Sequence, residues 1–385
     1  MRAVVLREPG DVRVEEVTLA RPQAGEVQVR IAAAGVCHSD VHLAAGSLGQ
    51  GRWPMVLGHE GAGTVEEIGE GVAHVAPGDR VVFCMIPSCG SCSACRAGRP
   101  TLCGPAGDAG FRGTLMDGTS RLALPDGTPL QHGLTVACFA ERAVVAAAGV
   151  VPLAPAVPLW QAALLGCGAV TGIGAVRNVA RPRIGESAAV IGCGGVGQQV
   201  IAGLVLAGAG AIVAVDRDPA MLELSLARGA THAVDAGSGD PAAAVRALTG
   251  GGVEHAFEVV GRAETMRLAW DCLRAGGNAV VVGLAAVGVE AAFPAIEFLS
   301  DKGIKGCYYG SGNPSAELAS LVQLAADGRL VLSDVVTHLT DLDGIPEGLE
   351  RLRSVGGGGR TVAIIDSAAA GLETSQARHI SSSGS

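Results

Sequence analysis

The sequence predicts a two-domain α/β protein: an irregular, mostly antiparallel β-rich domain and a doubly wound parallel sheet. Three observations carry the prediction. At 385 residues the chain is long for a single hydrophobic core. Its first 150 residues or so hold short β-rich pieces broken by turn signals, AVVL, VQVRIAAAG, GAGTVEEIG and DRVVF. From about Arg181 strands and helices alternate instead, beginning with AAVIGCGGVGQQVIAGLVLAGAGAIVAVD, and alternation of that kind implies parallel pairing.

The βα alternation continues through THAVD, HAFEVV and NAVVVGL. A helical segment, SAELASLVQLAADGRL, then leads to a last strand, RTVAIID. From Ser367 onward the residues are small and polar with no apolar period, so this tail is expected to be disordered or an appended remnant.

Composition narrows the functional class. Net charge is −9 with pI near 5.5, and charged residues make up 17% against 49% hydrophobic. No cluster of Lys and Arg is present to neutralise phosphates, which argues against nucleic acid as a partner. Met1 leads straight into AVVL without a charged and then apolar leader, so no signal peptide is expected. The longest apolar run, Val200 to Val215, is interrupted by glycines and is short for a membrane span. A cytoplasmic enzyme or binding protein is therefore expected. In that reducing compartment the 11 cysteines favour metal ligation over disulfides.

Three groups of residues point to chemistry. The turn Gly192-Cys193-Gly194-Gly195-Val196-Gly197 follows an apolar strand and opens a helix, with Asp216 ending the next strand about 20 residues on. Glycines let a backbone approach a pyrophosphate at a helix N-terminus, and the carboxylate suits ribose hydroxyls. Asp216 would repel a 2′-phosphate, so NAD is expected over NADP, although Arg217 beside it pulls the other way. The stretch PSCGSCSACRAGRPTLC, residues 87–103, packs Cys89, Cys92, Cys95 and Cys103 into 15 residues. A stapled loop, an iron–sulfur site and a closed zinc site are its three readings. Finally, GVCHSDVH, LGHEGAG and LGCGAVTGIGAV contribute Cys37, His59 and Cys167. Two sulfurs and one nitrogen are the donor set of a catalytic zinc with an open fourth position.

With these motifs in place, the chain resembles the zinc-dependent medium-chain alcohol dehydrogenases. The likeness spans residues 1 to 366 and is carried by GVCHSD, GHEGAG, the four-cysteine lobe, GCGAVTGIGAV, GCGGVG and GRTVAII. It implies a GroES-like catalytic domain over residues 1–168 with a structural-zinc lobe at 87–104. A Rossmann NAD-binding domain over 169–308, a return to the catalytic domain over 309–366 and the tail 367–385 complete the division. RGTLMDGTSRL, residues 112–122, resembles the longer-looped animal-type branch, whose members are commonly dimers. A homodimer is expected on that ground, with a tetramer as the alternative.

The resemblance further implies two zinc ions per chain. One is structural, on Cys89, Cys92, Cys95 and Cys103; the other is catalytic, on Cys37, His59 and Cys167. Ser39 corresponds to the hydroxyl that accepts the alcohol proton, and His42 to the base that passes it to solvent. Asp40 orients His59, and Glu60 matches an acidic residue that approaches the metal during ligand exchange. Thr171 and Val196 are expected near the nicotinamide, Val282, Gly283 and Leu284 along it, and Arg360 on the pyrophosphate.

Three features depart from the family. His38 stands where many members place a pyrophosphate-binding arginine, and Met85 where an aromatic residue often lines the pocket. Gly104 to Gly107 lack the arginine that glutathione-dependent formaldehyde dehydrogenases use there. The expected function is therefore NAD-linked oxidation of primary or aromatic alcohols to aldehydes. A thiol-adduct formaldehyde dehydrogenase using another thiol, or a polyol dehydrogenase, is the alternative. A non-catalytic relative would have no reason to keep Cys37, His59, Cys167, Ser39 and His42 together.

Overall fold

A computed structural model describes residues 1–48, 52–355 and 358–372. The chain divides into two compact units, one of Met1–Cys167 with Asn313–Gly356 and the chain from Arg360, the other centred on Gly168–Gly312.

The first unit is built on a seven-stranded sheet whose middle strand is Glu26–Val36. Along this strand Val27, Val29 and Ile31 are buried at alternate positions. From Ile31 onward every residue to Val36 is buried, so the strand dives into the interior as it nears Cys37. Glu60–Ile68 pairs antiparallel with one edge of its far end and Arg360–Ile364 antiparallel with the other. Their registers place Gly35 opposite both Glu60 and Val362. Val27, Val29, Ile31, Val65, Val81, Phe83 and Phe139 form the core here. A second, six-stranded sheet begins with Arg2–Glu8. Pairing in this unit is antiparallel except for two parallel contacts, Met55–Val56 with Pro129–His132 and Val336–Thr340 with Arg360–Ile364.

The loop over residues 112–122 is fastened to the start of the middle strand by a buried ion pair. The Arg121 guanidinium donates to both oxygens of Glu26, at 2.8 and 2.6 Å, and to Asp117 at 2.6 Å. Glu26 and Arg121 are both buried, so each charge depends on the other for its solvation.

The second unit is a six-stranded, all-parallel sheet in the order His232–Asp235, Ile212–Asp216, Ala188–Ile191, Val253–Glu258, Leu273–Val281, Gly303–Gly306. The chain winds outward from Ala188–Ile191 in one direction and then reverses. The switch point therefore lies between that strand and Val253–Glu258, where the carboxyl ends of such sheets leave a crevice. Ala188 and Val190 pack into one apolar layer and Ala189 and Ile191 into another, as a sheet covered on both faces requires.

The tail departs from expectation. Residues 368–371 form a turn against the first unit, with Ala370 fully buried and its carbonyl accepting from Trp160 N at 3.2 Å. Small side chains in SAAAG let the backbone come that close, which a search for apolar periodicity does not register. The remainder of the expected tail, 373–385, lies outside the described residues. Among the described residues no single helix is long and apolar enough to cross a membrane.

Candidate metal and dinucleotide sites

Cys37 sits where the middle strand ends and the helix His38–Ala44 begins. His59 immediately precedes the neighbouring strand, which Glu60 opens, and Cys167 follows the short turn Ala163–Gly166. One donor atom from each of Cys37, His59, Glu60 and Cys167 lies within 4.8 Å of all the others, and all four residues are buried.

Asp40 sets the orientation of this group. Its fully buried carboxylate accepts from Cys37 N at 3.3 Å, Gly58 N at 3.1 Å and His59 Nδ1 at 3.2 Å. An ionised carboxylate only accepts, so His59 carries its proton on Nδ1 and presents the lone pair of Nε2 inward. Nε2 is buried and has no protein partner. A buried, unpartnered imidazole nitrogen facing two sulfurs fits a zinc ion, and the Cys₂His donor set is that of a catalytic site. The thiols are already unlike one another. The Cys37 thiol is held well below its ordinary value by a hydrogen bond from Cys167, against the effect of burial, while Cys167 is pushed well up by Cys37 and by burial. A dication would favour the thiolate at both.

Glu60 and Arg360 form a buried ion pair that crosses the end of the middle strand. Gly35 makes the crossing feasible: a Cβ there would stand 2.4 Å from Glu60 Oε2 and 3.3 Å from an Arg360 nitrogen. Burial pushes the Glu60 carboxyl up to about 7, with Arg360 pulling it down. Arg360 is turned onto Glu60. Its position at the start of the strand beside Gly35 leaves the guanidinium over that glycine, where Glu60 is the nearest acceptor.

Ser39 Oγ lies 3.8 Å from Cys37 Sγ. His42, one turn further along the same helix, is half-buried and its Nδ1 lies 2.9 Å from Ser47 Oγ. His38 is exposed at the first position of that helix.

Cys89, Cys92, Cys95 and Cys103 also bring their sulfurs within 4.8 Å of one another. Backbone N–H groups point at them: Cys92 N to Cys89 Sγ at 3.4 Å and Cys89 N to Cys103 Sγ at 3.3 Å. The Ser91 N–H draws Cys89 down to about 6, while desolvation and Cys92 push Cys95 up to about 12. Four sulfurs around one point saturate a tetrahedral ion and leave no position for a substrate.

In the second unit the glycine turn connects Ala188–Ile191 to the helix Gly195–Leu206. Asp216 accepts from Cys193 N in that turn at 2.6 Å and from Asp218 N at 3.0 Å, while Arg217 is exposed. Thr171, Val196, Val282 and Gly283 are partly exposed and Leu284 is exposed. Two residues, one in each unit, lie outside those expected from sequence. Glu258 is fully buried at the end of its strand. Its Oε1 accepts from Val260 N at 2.9 Å, Gly261 N at 2.7 Å and Thr265 Oγ1 at 2.7 Å. Its carbonyl accepts from Val282 N and Gly283 N at 2.8 and 3.0 Å. It thus braces both loops at the sheet's carboxyl edge, and the only trace in the sequence is an acid closing an apolar strand. Ser47, beside His42 in the first unit, left no trace beyond an ordinary turn residue.

Known proteins resemble this chain over most of its length. A family model described as "Alcohol dehydrogenase GroES-like domain" matches residues 23–155, and one described as "Zinc-binding dehydrogenase" matches residues 195–332. An S-(hydroxymethyl)glutathione dehydrogenase of Synechocystis is 37% identical over 353 residues, 91% of this chain and 95% of that protein. The crystal structure of a benzyl alcohol dehydrogenase from Acinetobacter calcoaceticus superposes with a TM-score of 0.88 at 31% identity, covering 94% of this chain and 99% of that one. An alcohol dehydrogenase zinc-binding domain protein from Burkholderia ambifaria gives 0.89 at 33%, covering 94% and 98%.

The two clusters differ in what metal loss should do. Elemental analysis of freshly purified protein is expected to give two zinc ions per chain. Cys37→Ala should abolish turnover and remove one zinc while keeping the fold. Cys92→Ala should chiefly lower the melting temperature, because a structural zinc contributes folding free energy directly. One zinc or none in the unmodified protein would contradict this assignment.

Proposed function

The chain belongs to the zinc-dependent medium-chain dehydrogenase/reductase family, and on that premise we propose that it oxidises a primary carbinol with NAD as the hydride acceptor. The substrate class is the S-hydroxymethyl adduct of a low-molecular-weight thiol, oxidised to the S-formyl thioester. The reading rests on the convergence of Cys37, Cys167 and the unpartnered Nε2 of His59. The names of the curated relatives move the thiol adduct ahead of the aromatic alcohols that the sequence put first. The stretch Gly104–Gly107 carries no arginine, which favours a thiol other than glutathione. A benzylic alcohol is the second reading, supported by the likeness to a benzyl alcohol dehydrogenase and by Met85, whose flexible thioether adapts to varied ligands.

Cys37, His59 and Cys167 would hold a zinc ion, a Lewis acid that lowers the pKa of a hydroxyl bound in its open position. Asp40 keeps His59 in the tautomer and orientation that ligation needs. Glu60 stands beside the ligand set, and its pairing with Arg360 restrains it from occupying the fourth position permanently. Ser39 accepts the substrate hydroxyl's proton and His42 passes it on, while the carbinol hydrogen leaves as hydride. In the second unit, the turn Gly192 to Gly197 would take the pyrophosphate, with Asp216 on the ribose hydroxyls. Thr171, Val196 and Val282 to Leu284 would border the nicotinamide.

A second copy of the chain is proposed as partner. Among the described residues Gly303–Gly306 forms an open edge of the parallel sheet, and Ile296, Leu299 and Tyr308, close to it in sequence, are between 52% and 82% exposed. An unpaired edge flanked by large apolar side chains is a surface that chains usually cover. Light scattering on the eluted protein should give the mass of a dimer. A monomer at micromolar concentration would overturn the pairing.

Activity assays separate the substrate readings. Formaldehyde should reduce NAD only when a thiol such as cysteine, N-acetylcysteine or glutathione is added, with glutathione not the best of them. Thiol-independent turnover led by benzyl alcohol would favour the second reading instead. NADP should be the poorer acceptor, and Asp216→Gly should narrow the gap by removing repulsion of the 2′-phosphate.

His42 must be neutral to accept a proton. Burial lowers its pKa below the ordinary 6.5, so it stays neutral at pH 7 and protonates only on acidification below that value. Alcohol oxidation should therefore be flat through neutrality and fall on the acid side. His42→Gln should lower kcat near pH 7 by roughly 10- to 100-fold, the low end of general-base effects. It should recover partly at high pH, where solvent takes the proton. A pH–rate profile identical to that of the unmodified enzyme would remove His42 from the relay.

A further inference from the structure

The helix His38–Ala44 stops in a particular way. Gly46 adopts a left-handed conformation, φ +68°, and its N–H donates to Leu43 O at 2.9 Å, while Ser47 N donates to His42 O at 3.0 Å. This paired closure is the Schellman arrangement, and it carries the chain back under the last helical turn. Ser47 Oγ is thereby placed 3.1 Å from the carbonyl oxygen of His42 and 2.9 Å from the Nδ1 of the same residue.

One hydroxyl proton has to serve these two contacts. A carbonyl oxygen can only accept, so the contact at 3.1 Å is attractive only if Ser47 donates to it. Were the proton turned toward Nδ1 instead, two oxygen lone-pair regions would face each other at that distance. With the hydroxyl committed to the carbonyl, its own lone pair remains for the imidazole, and Nδ1 must bring the proton. Both contacts are hydrogen bonds in this assignment alone. Nε2 then carries no proton, and it has no hydrogen-bond partner among the described residues.

We propose that Ser47 is a positioning residue that fixes His42 in the Nδ1–H tautomer, so that Nε2 is the atom that takes up the relayed proton. The proposal rests on the reading of His42 as the outer base of the relay. Which ring nitrogen of a histidine is basic is set by the hydrogen bond at the other one. Ser47 supplies that bond, and because it is a helix-closing residue, the bond also fixes the plane of the ring. When Nε2 gains a proton and passes it to solvent, the Nδ1–H···Oγ bond persists throughout, so no rearrangement of Ser47 accompanies turnover. Asp40 does the same for His59 in reverse purpose, exposing Nε2 to a metal.

The substitution Ser47→Ala removes the hydroxyl but keeps the backbone N–H that closes the helix, so the fold is preserved. The test is nitrogen NMR on protein with ¹⁵N-labelled histidine, with the His42 signals assigned by their loss in His42→Gln. The unmodified protein at neutral pH should show a protonated Nδ1 and a bare Nε2. Ser47→Ala should shift His42 toward the opposite tautomer, and Ser47→Thr should restore the original pattern. In parallel, Ser47→Ala should lower kcat by roughly 3- to 10-fold with substrate KM unchanged, a fraction of what a general base supplies, and Ser47→Thr should recover it. A protonated Nε2 in the unmodified protein, or an unaltered His42 spectrum in Ser47→Ala, would overturn the proposal. If the tautomer responds as stated but His42→Gln leaves turnover unchanged, the assignment of Ser47 stands and the relay reading alone fails.

Discussion

The cluster of Cys37, His59 and Cys167 depends on one buried carboxylate. Asp40 is fully buried, and a carboxylate in that position is tolerated only when donors replace its lost water. Its donors are Cys37 N, Gly58 N and His59 Nδ1. The first lies at the start of its own helix, the other two on a different segment. The carboxylate thus ties GVCHSD to GHE and fixes at once where Cys37 stands and which nitrogen His59 presents. Ser39 and His42 ride on the same short helix, so the two groups proposed to carry the proton are registered to Cys37 by backbone geometry.

The middle strand of the first unit does the remaining positioning. Its far end is buried on both faces and flanked by the strands that open with Glu60 and with Arg360. A side chain at position 35 would occupy the space where the carboxylate meets the guanidinium. The ion pair therefore belongs to the sheet's architecture as much as to the site. It keeps a carboxylate next to two thiols without leaving a lone negative charge in the interior, which would be strongly destabilising.

Much of this was legible in the sequence, for a physical reason. Metal donor sets and glycine turns are local patterns whose chemistry is fixed by residue type, so Cys37, His59, Cys167 and the four-cysteine lobe could be named before any fold was known. The ladder of strands followed from period-two burial and from βα alternation. What was not legible depends on distant or three-dimensional relations. Glu60 and Arg360 are 300 positions apart, and their pairing follows from strand order alone. Glu258 shows its role only once the loops after two adjacent strands are seen to share it. Ser47 reads as a turn residue until the helix closure brings it under His42. The small residues 368–371 hold to the first unit through backbone contact rather than an apolar face, so the sequence shows no sign of their attachment.

The most direct measurement of the central claim, that Asp40 holds His59 so that Nε2 completes a Cys₂His zinc site, is anomalous diffraction at the zinc edge. The expected result is an ion about 2.3 Å from the sulfurs of Cys37 and Cys167 and about 2.0–2.1 Å from His59 Nε2, with one position left to solvent. A second ion should be surrounded by the four lobe sulfurs. An ion bound through His59 Nδ1, or no anomalous peak among Cys37, His59 and Cys167, would contradict it.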